Sequence, residues 1–269
     1  WLIKRYLPGW ESAQVKFVPA GNRLRGVNQE SRTKNHNPVI ERIGKDDIIH
    51  VDTGLGPLDH HQTASDKVCG ASLTFNFVKR TINDKQLTIN KEKLDALLRM
   101  VRVVVDIDHF KEIFRKDPRS DYHEFDLAAI LDGLKLRFPG QDDYYVEFVS
   151  KGLDAVLHAF ENRIWAEKEI KENGKKFETK FGHGMGFETI NDSVVKLAQK
   201  MGYAIVARKD PRKGYVRIKV RPDSKIDLTL ACEKFKKMDP DATWYLHISK
   251  KMLLNGSVKN PKMRPTKLT

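Results

Sequence analysis

Apolar residues recur at helical spacing over much of the first two thirds of the chain. Leu73, Phe77 and Val78 share one face of a segment from Gly70 to Arg80, and a second helical period runs from Lys91 to Val105. A third covers His123 to Phe138. The longest runs from Asp142 to about Lys171, with Tyr145, Phe148, Val149, Leu153, Val156, Leu157, Phe160 and Ile164 in register. A stripe of that length reads as core. Trp1 to Leu7 is an amphipathic helix stopped by Pro8-Gly9. No cap residue precedes it, so an upstream segment is expected. Two stretches break the helical pattern. Val15-Lys16-Phe17-Val18 alternates as a half-buried strand does, and Asp47-Ile48-Ile49-His50-Val51-Asp52 is a short apolar strand that ends on an acid. Between them, Asn22 to Asn37 is polar and reads as a loop.

The pattern shortens in the last third. Met185 to Ile190 predicts a strand. Asn191 to Met201 predicts a helix capped by Asn191 and stopped at Gly202. Tyr203 to Arg208 and Tyr215 to Val220 alternate on either side of Asp210-Pro211-Arg212-Lys213-Gly214, which predicts a hairpin. Leu228 to Met238 is a helix closed by Asp239-Pro240, and Thr243 to Ile248 a final strand. A polar, lysine-rich stretch around Gly174 separates the two patterns. The expected organisation is therefore an α/β domain over residues 1–167, a linker over 168–181, and a small α+β domain over 182–269.

Composition narrows the function classes. The chain has 269 residues, 40% of them hydrophobic and 32% charged, which fits a packed core and argues against disorder. The net charge of +13 and pI near 9.6 favour polyanionic partners. Cys69 and Cys232 lie far apart and form no C-x-x-C pair, which excludes a zinc ribbon or a thioredoxin-type site; free thiols fit a reducing, cytoplasmic location. No apolar run approaches the ~18 residues a membrane helix needs, and no membrane partner is expected. Gly182-His183-Gly184-Met185-Gly186 is not a phosphate-binding loop, and no G-x-S-x-G is present.

The densest chemistry lies in Asp52-Thr53-Gly54-Leu55-Gly56-Pro57-Leu58-Asp59-His60-His61-Gln62. Two carboxylates and two imidazoles in ten residues suit a divalent transition metal, and a carboxylate can bridge two ions ~3.5–4 Å apart. The glycines allow the tight return that brings the second group beside the first.

Asp59-His60-His61 with Asp52 ahead of it resembles the signature of the DHH phosphoesterase superfamily, which includes RecJ-type exonucleases, manganese-dependent pyrophosphatases and oligonucleotide phosphodiesterases. Asp-His-His-Gln followed by Gly70-Ala71-Ser72 and a helix is most similar to the MYG-type branch of metal-dependent hydrolases. The resemblance implies a DHH-type α/β domain with a mainly parallel sheet flanked by helices, plus a smaller C-terminal α+β domain. It implies that Asp52 bridges two metals, that His60 and Asp106 ligate one of them with Asp108 the alternative to Asp106, that Asp59 orients an imidazole, and that His61 faces the phosphate. Manganese is the first expectation for the ion, with magnesium, cobalt or zinc the alternatives. The family's first motif has no counterpart before Asp52: His36 lies in an Asn/Lys-rich loop and His50 within the strand. The missing ligands are therefore expected upstream of Trp1, and a chain without them is expected to hold one metal poorly and to lose activity. In the second domain, the loop after the late strand offers His247, Lys250, Lys251, Asn255 and Gly256, with Arg221 nearby, as phosphate contacts, though it lacks the family's doubled glycine and following histidine. Arg208, Lys209, Arg212, Lys213, Arg217 and Lys219 make the hairpin densely cationic. The implied activity is hydrolysis of a phosphate ester, an oligonucleotide phosphodiester foremost, at a two-metal site between the domains. The alternatives are a non-catalytic protein that binds single-stranded nucleic acid on the same scaffold, and a pyrophosphate or nucleotide hydrolase.

Overall fold

The computed structural model describes residues 1–24, 38–84, 89–257, 260 and 262–268. His36 lies outside them. The chain is a mixed α/β protein that divides into two compact units, Trp1–Glu161 and Asn162–Thr269.

The first unit is built mainly from helices. In chain order it contains α1 (Leu2–Tyr6), β1 (Ile40–Ile43), β2 (Asp46–Ile49), α2 (Gly70–Asp84), α3 (Lys91–Asp108), two 3-10 turns (Lys111–Phe114 and Asp121–Phe125) and α4 (Leu127–Arg137), followed by the first two thirds of α5 (Asp142–Glu172). Its core joins Phe75, Val78 and Ile82 of α2 to Leu97, Val101 and Val105 of α3, all buried at i, i+3 or i, i+4 spacing. Asn90 caps α3 by accepting from the Lys93 backbone N–H at 2.7 Å. Trp1 Nε1 and Arg5 both donate to the Asp154 carboxylate, which ties α1 to α5.

A mainly parallel sheet is not what the described residues of this unit form. Its strands are a two-stranded antiparallel ribbon, Ile40 opposite Ile49 and Ile43 opposite Asp46, turned at Gly44-Lys45 with Gly44 at φ +63°. A tight turn can only return the chain antiparallel, whereas parallel pairing needs a crossover of a dozen residues or more. Val15–Val18 is not a strand either. It runs without a ladder partner among the described residues, and Phe17 is exposed.

The second unit holds β3 (Lys175–Thr179), β4 (Gly182–Glu188), α6 (Ser193–Lys200), β5 (Ile205–Lys209), β6 (Val216–Val220), α7 (Thr229–Met238), β7 (Trp244–Leu246) and β8 (Met252–Asn255). The sheet order is β3-β4-β5-β6-β8-β7. Only β4 and β5 are parallel, with α6 as their crossover. The predicted hairpin is β5–β6, with Lys209 opposite Val216. The expected linker is not a linker. Ala166 and Ile170 of α5 bury with Met185, Phe187, Val194, Val195, Ala198 and Val206, so the helix continues to Glu172 and β3 follows almost at once. The lysines that suggested a linker are solvated faces of these elements. A second core, on the opposite sheet face, packs Cys232 of α7 and Trp244 against Ile218, Val220 and Leu253. Both cysteines are free and buried. No described helix is long and apolar enough to cross a membrane.

Candidate metal centre

The centre starts with a loop whose backbone is wound against its usual preference. After β2, Asp52, Gly54 and Leu55 all take positive φ, at +56°, +68° and +54°. The left-handed region suits Gly54 and costs about 1 kcal/mol or more at each of the other two. The loop is closed by the Asp52 N–H donating to the Leu58 carbonyl at 3.0 Å, and by the Asp59 N–H and Gln62 Nε2 donating to the Gly56 carbonyl at 3.0 and 2.8 Å. Asp59 is the buried pin. Its Oδ2 accepts from the Leu55 N–H at 2.7 Å, and its Oδ1 from the His61 N–H at 3.0 Å and from His61 Nδ1 at 2.7 Å.

Two further carboxylates meet at His60. Asp52 Oδ1 lies 2.8 Å from Nδ1, and Asp108 Oδ2 lies 3.2 Å from Nε2. The two donor groups Asp52-Asp59-His60-His61 and His60-Asp108-His109 thus overlap at one mostly buried imidazole, each with ligand atoms within 4.8 Å of one another. Ligands bound to a single ion at ~2.1 Å sit roughly 3–4 Å apart, so these spacings need little adjustment. A neutral imidazole has one N–H, so it can donate toward only one of the two carboxylates. A metal ion held between the other nitrogen and its carboxylate would complete the arrangement.

Asp106 does not join the group. One residue advances an α-helix by ~100°, so Asp106 and Asp108 point to nearly opposite sides of α3. Asp106 is exposed, with its Oδ1 3.8 Å from Lys111 Nζ. Asp108 lies on the same face of α3 as the buried Val101 and Val105 and, from the exposed edge of that face, reaches His60. His109, to which the sequence pattern gave no pointer, adds a clamp. Its Nε2 donates to the Val68 carbonyl at 2.9 Å, while Lys111 Nζ donates to the Asp66 carbonyl at 2.8 Å. These two bonds hold the end of α3 against the segment leading into α2. Gly70, the first residue of α2, is the other constraint: a Cβ there would lie 2.8 Å from both Cβ and Oδ1 of Asp52. His50 stands apart from the cluster. The Leu24 N–H donates to its Nε2 at 3.0 Å, and burial, then Arg23, push its pKa down.

The electrostatics separate two roles in the Asp-His-His triplet. Burial opposes ionisation of Asp59, yet the His61 N–H, the His61 ring and the Leu55 N–H together hold its carboxyl below the ordinary range. His61 is raised above the ordinary imidazole range, chiefly by its bond to Asp59, with Asp52 and Asp108 adding to it. Since Nδ1 faces Asp59, the free nitrogen of the exposed His61 ring is Nε2.

The substrate contacts expected in the second unit are mostly engaged internally. Asn255 is fully buried: its Nδ2 donates to the Thr243 and Arg264 carbonyls at 2.9 and 3.0 Å, and its Oδ1 accepts from the Thr266 N–H at 2.6 Å. It clamps the C-terminal segment and has no atom left for phosphate. Lys251 Nζ donates to the Ser224 and Ile226 carbonyls, both at 2.6 Å. Gly256 is buried with the Tyr215 ring where a Cβ would go. Lys250 pairs with Asp227 at 3.2 Å and Arg221 with Asp223 at 2.6 Å, both at the surface. His247 Nδ1 meets Ser249 Oγ at 2.8 Å. Of the hairpin cations, Arg208 is buried and donates to the Thr189 carbonyl at 2.8 Å. Lys209 reaches the Leu268 carbonyl at 2.7 Å. Compared with family models, with curated proteins and with solved structures, the chain matches none.

Proposed function

We propose that the chain is a divalent-metal-dependent phosphoesterase of the DHH type, acting on a phosphate ester at the centre around His60. The observation that carries this reading is the meeting of Asp52 and Asp108, 56 residues apart in sequence, on the two nitrogens of one imidazole. The resemblance of Asp52 and Asp59-His60-His61 to the DHH signature supports it. Carboxylate oxygens with imidazole nitrogen suit manganese, iron(II), cobalt or zinc, and manganese is the first ion to test. His60 would hold the ion through one ring nitrogen together with the carboxylate on that side, Asp52 at Nδ1 or Asp108 at Nε2, while the other carboxylate accepts from the opposite nitrogen and fixes the ring. When bound, such an ion lowers the pKa of its water and polarises the phosphoryl oxygens. The chain's own groups do the rest. Asp59 locks the His61 tautomer, and His61 Nε2 is left to hydrogen-bond a phosphate oxygen or pass a proton to the leaving oxygen. The raised His61 favours the protonated form that such a donor needs.

The test is Mn²⁺ titration followed by electron paramagnetic resonance, on wild type and His60→Ala, paired with hydrolysis of bis-p-nitrophenyl phosphate. Saturable Mn²⁺ binding in wild type, lost in His60→Ala together with hydrolysis, is the expected result. Equal Mn²⁺ binding by the two proteins would end the assignment.

A further inference from the structure

The formal charge of +13 is not spread over the chain. Residues 1–161 carry 24 Lys/Arg and 24 Asp/Glu, whereas residues 162–269 carry 25 Lys/Arg against 12 Asp/Glu. The second unit therefore holds the whole surplus, and its sheet gathers part of it on one face. Register puts Arg208 opposite Arg217, Arg217 opposite Leu254, and Leu254 opposite Tyr245. The neighbouring row sets Val206 opposite Lys219 and Lys219 opposite Met252. Paired residues share a face, so Arg217 and Lys219 project beside Met252, Leu254 and the half-exposed Tyr245, on the side where α6 packs over Val206.

That face has too few counter-charges. Among the described residues, Asp192 is the one carboxylate in ion-pair contact with these cations, and it is shared: its Oδ1 lies 2.7 Å from Arg208 Nε, and its Oδ2 meets Arg217 Nη1, while Asp210 attracts Arg208 from farther off. Among the described residues, Arg217 Nε is buried with no hydrogen-bond partner, and the half-buried Lys219 has no ion-pair partner. Its ammonium is pushed down first by burial, then by Arg217 and by Lys196 of α6. Cations set opposite or beside one another on a sheet repel. Holding them there is costly unless an anion completes the group.

We infer that this face of the second unit, with Arg217, Lys219 and Lys196 as its charged elements and Tyr245, Leu254 and Met252 as its apolar ones, binds single-stranded nucleic acid independently of the metal centre. The cations take the phosphates, and Tyr245 offers a base an aromatic surface to stack on. The combination is what selects this ligand: a lone phosphate would use the cations and leave the adjoining apolar strip without a role.

The experiment is fluorescence anisotropy of a labelled oligouridylate with the full chain in EDTA, so that failure of the metal reading leaves the outcome unaffected. Wild type should bind, and affinity should fall steeply with salt. Lys219→Glu and the double variant Lys196→Gln/Lys219→Gln should each lose about tenfold or more, with the salt slope falling by about one per cation removed. Tyr245→Ala should lose about fivefold or more. Lys219→Arg should retain binding, which together with an unchanged circular-dichroism melt rules out misfolding as the cause. Lys236→Gln/Lys237→Gln on α7 should bind as wild type. Wild-type affinity in Lys219→Glu overturns the inference, as does an equal loss in the α7 variant. Lys219-dependent binding to phosphatidylglycerol vesicles without oligouridylate binding also overturns it, because the partner would then be a membrane surface.

Discussion

The two units solve opposite electrostatic problems. The first is charge-neutral overall, yet it concentrates Asp52, Asp59 and Asp108 around two histidines, a local excess of negative charge that invites a cation. The second carries the entire surplus of positive charge and sets Arg208, Arg217 and Lys219 on adjoining strands, where among the described residues Asp192 is the carboxylate in ion-pair contact with Arg208 and Arg217 and Asp210 attracts Arg208 alone, a local excess that invites an anion. Net charge alone blurs this, because +13 averages a neutral body with a basic one. The proposed ligands of the two units, a cation for one and a polyanion for the other, are therefore separable by mutation.

A double dissociation separates the two units. His60→Ala removes the imidazole on which both carboxylates converge. Changes merely outside a metal's ligand shell cost roughly 10–100-fold in affinity, so losing this ligand should cost more. Oligouridylate binding in EDTA should be unchanged. Lys219→Glu should do the reverse. If either variant impaired both functions, one shared site would have to replace two.

Asn255 tests whether the late loop is scaffold or contact surface. Three backbone groups depend on its fully buried amide, and Asn255→Leu strands them. Unsatisfied buried groups cost about 1–3 kcal/mol each, with partial relaxation, so a loss of roughly 2–4 kcal/mol in urea unfolding is expected, confined to the second unit. Mn²⁺ binding by the first unit should persist below the transition. A normal melt with weakened ligand binding would instead return Asn255 to the list of contact residues.

These cases also mark what the sequence made legible. The long helices and the β5–β6 hairpin were readable because their signals are local: a period of 3.6 or 2, and a turn of Asp210, Pro211 and Gly214. The choice between Asp106 and Asp108 was readable in principle. With Leu97, Val101 and Val105 on the buried stripe of α3, the next position on that stripe is 108 and not 106. Asn255, Lys251 and Gly256 were not readable. Their partners, Thr243, Arg264 and Thr266 for Asn255, Ser224 and Ile226 for Lys251, Tyr215 for Gly256, come from other segments, and polar residues near a turn look alike whether they serve a ligand or a distant backbone. The expected parallel sheet failed for a related reason. An apolar run such as Ile48-Ile49 predicts a strand but does not name its partner, and here that partner is the four-residue β1 across a tight turn.

A smaller effect should follow from Gly70→Ala. The added methyl meets both the Cβ and the carboxylate of Asp52 at 2.8 Å, so rotating the side chain does not clear it and the loop backbone at Asp52 must shift away from α2. Mn²⁺ affinity should fall about tenfold, with a drop of a few degrees in melting temperature. A large drop in melting temperature with unchanged affinity would mean that Gly70 serves packing and not the centre.

In the second unit, acid should reveal a different contribution. Asp227 is held down to about 2, first by the Thr229 hydroxyl and backbone N–H and then by Lys250, at the start of α7. An unfolded aspartate titrates near 3.9, so the folded state favours the ionised form. That contribution is complete above about pH 4 and is lost as pH falls toward 2. Asp227→Ala should therefore melt below wild type at pH 7, with the gap narrowing through that window. A gap independent of pH would assign the effect to lost hydrogen bonding or packing alone.

The smallest effect is expected from the strain at Leu55, in the loop between β2 and α2. Leu55 is half-exposed and sits at φ +54°, a conformation that glycine adopts freely and leucine does not. Its backbone N–H is nonetheless indispensable, because it donates to Asp59 and so helps hold the carboxylate that orients His61. Leu55→Gly keeps that N–H and releases the strain. It also gives the unfolded chain more freedom and gives up the buried half of the side chain. The balance should be a gain of about 0.5 kcal/mol, read as a slightly higher urea midpoint, with Mn²⁺ affinity unchanged. If Leu55→Gly were instead destabilising, the half of the side chain that is covered would outweigh the strain, and the loop would be held by its apolar contacts more than by Asp59. The basic unit offers a control: Lys250 is also left-handed, at φ +56°, in a turn where the Leu228 N–H donates to its carbonyl at 3.1 Å. Lys250→Gly should show the same relief of strain less its ion pair with Asp227, so a clear gain at 55 beside no gain at 250 would place the difference in that pair.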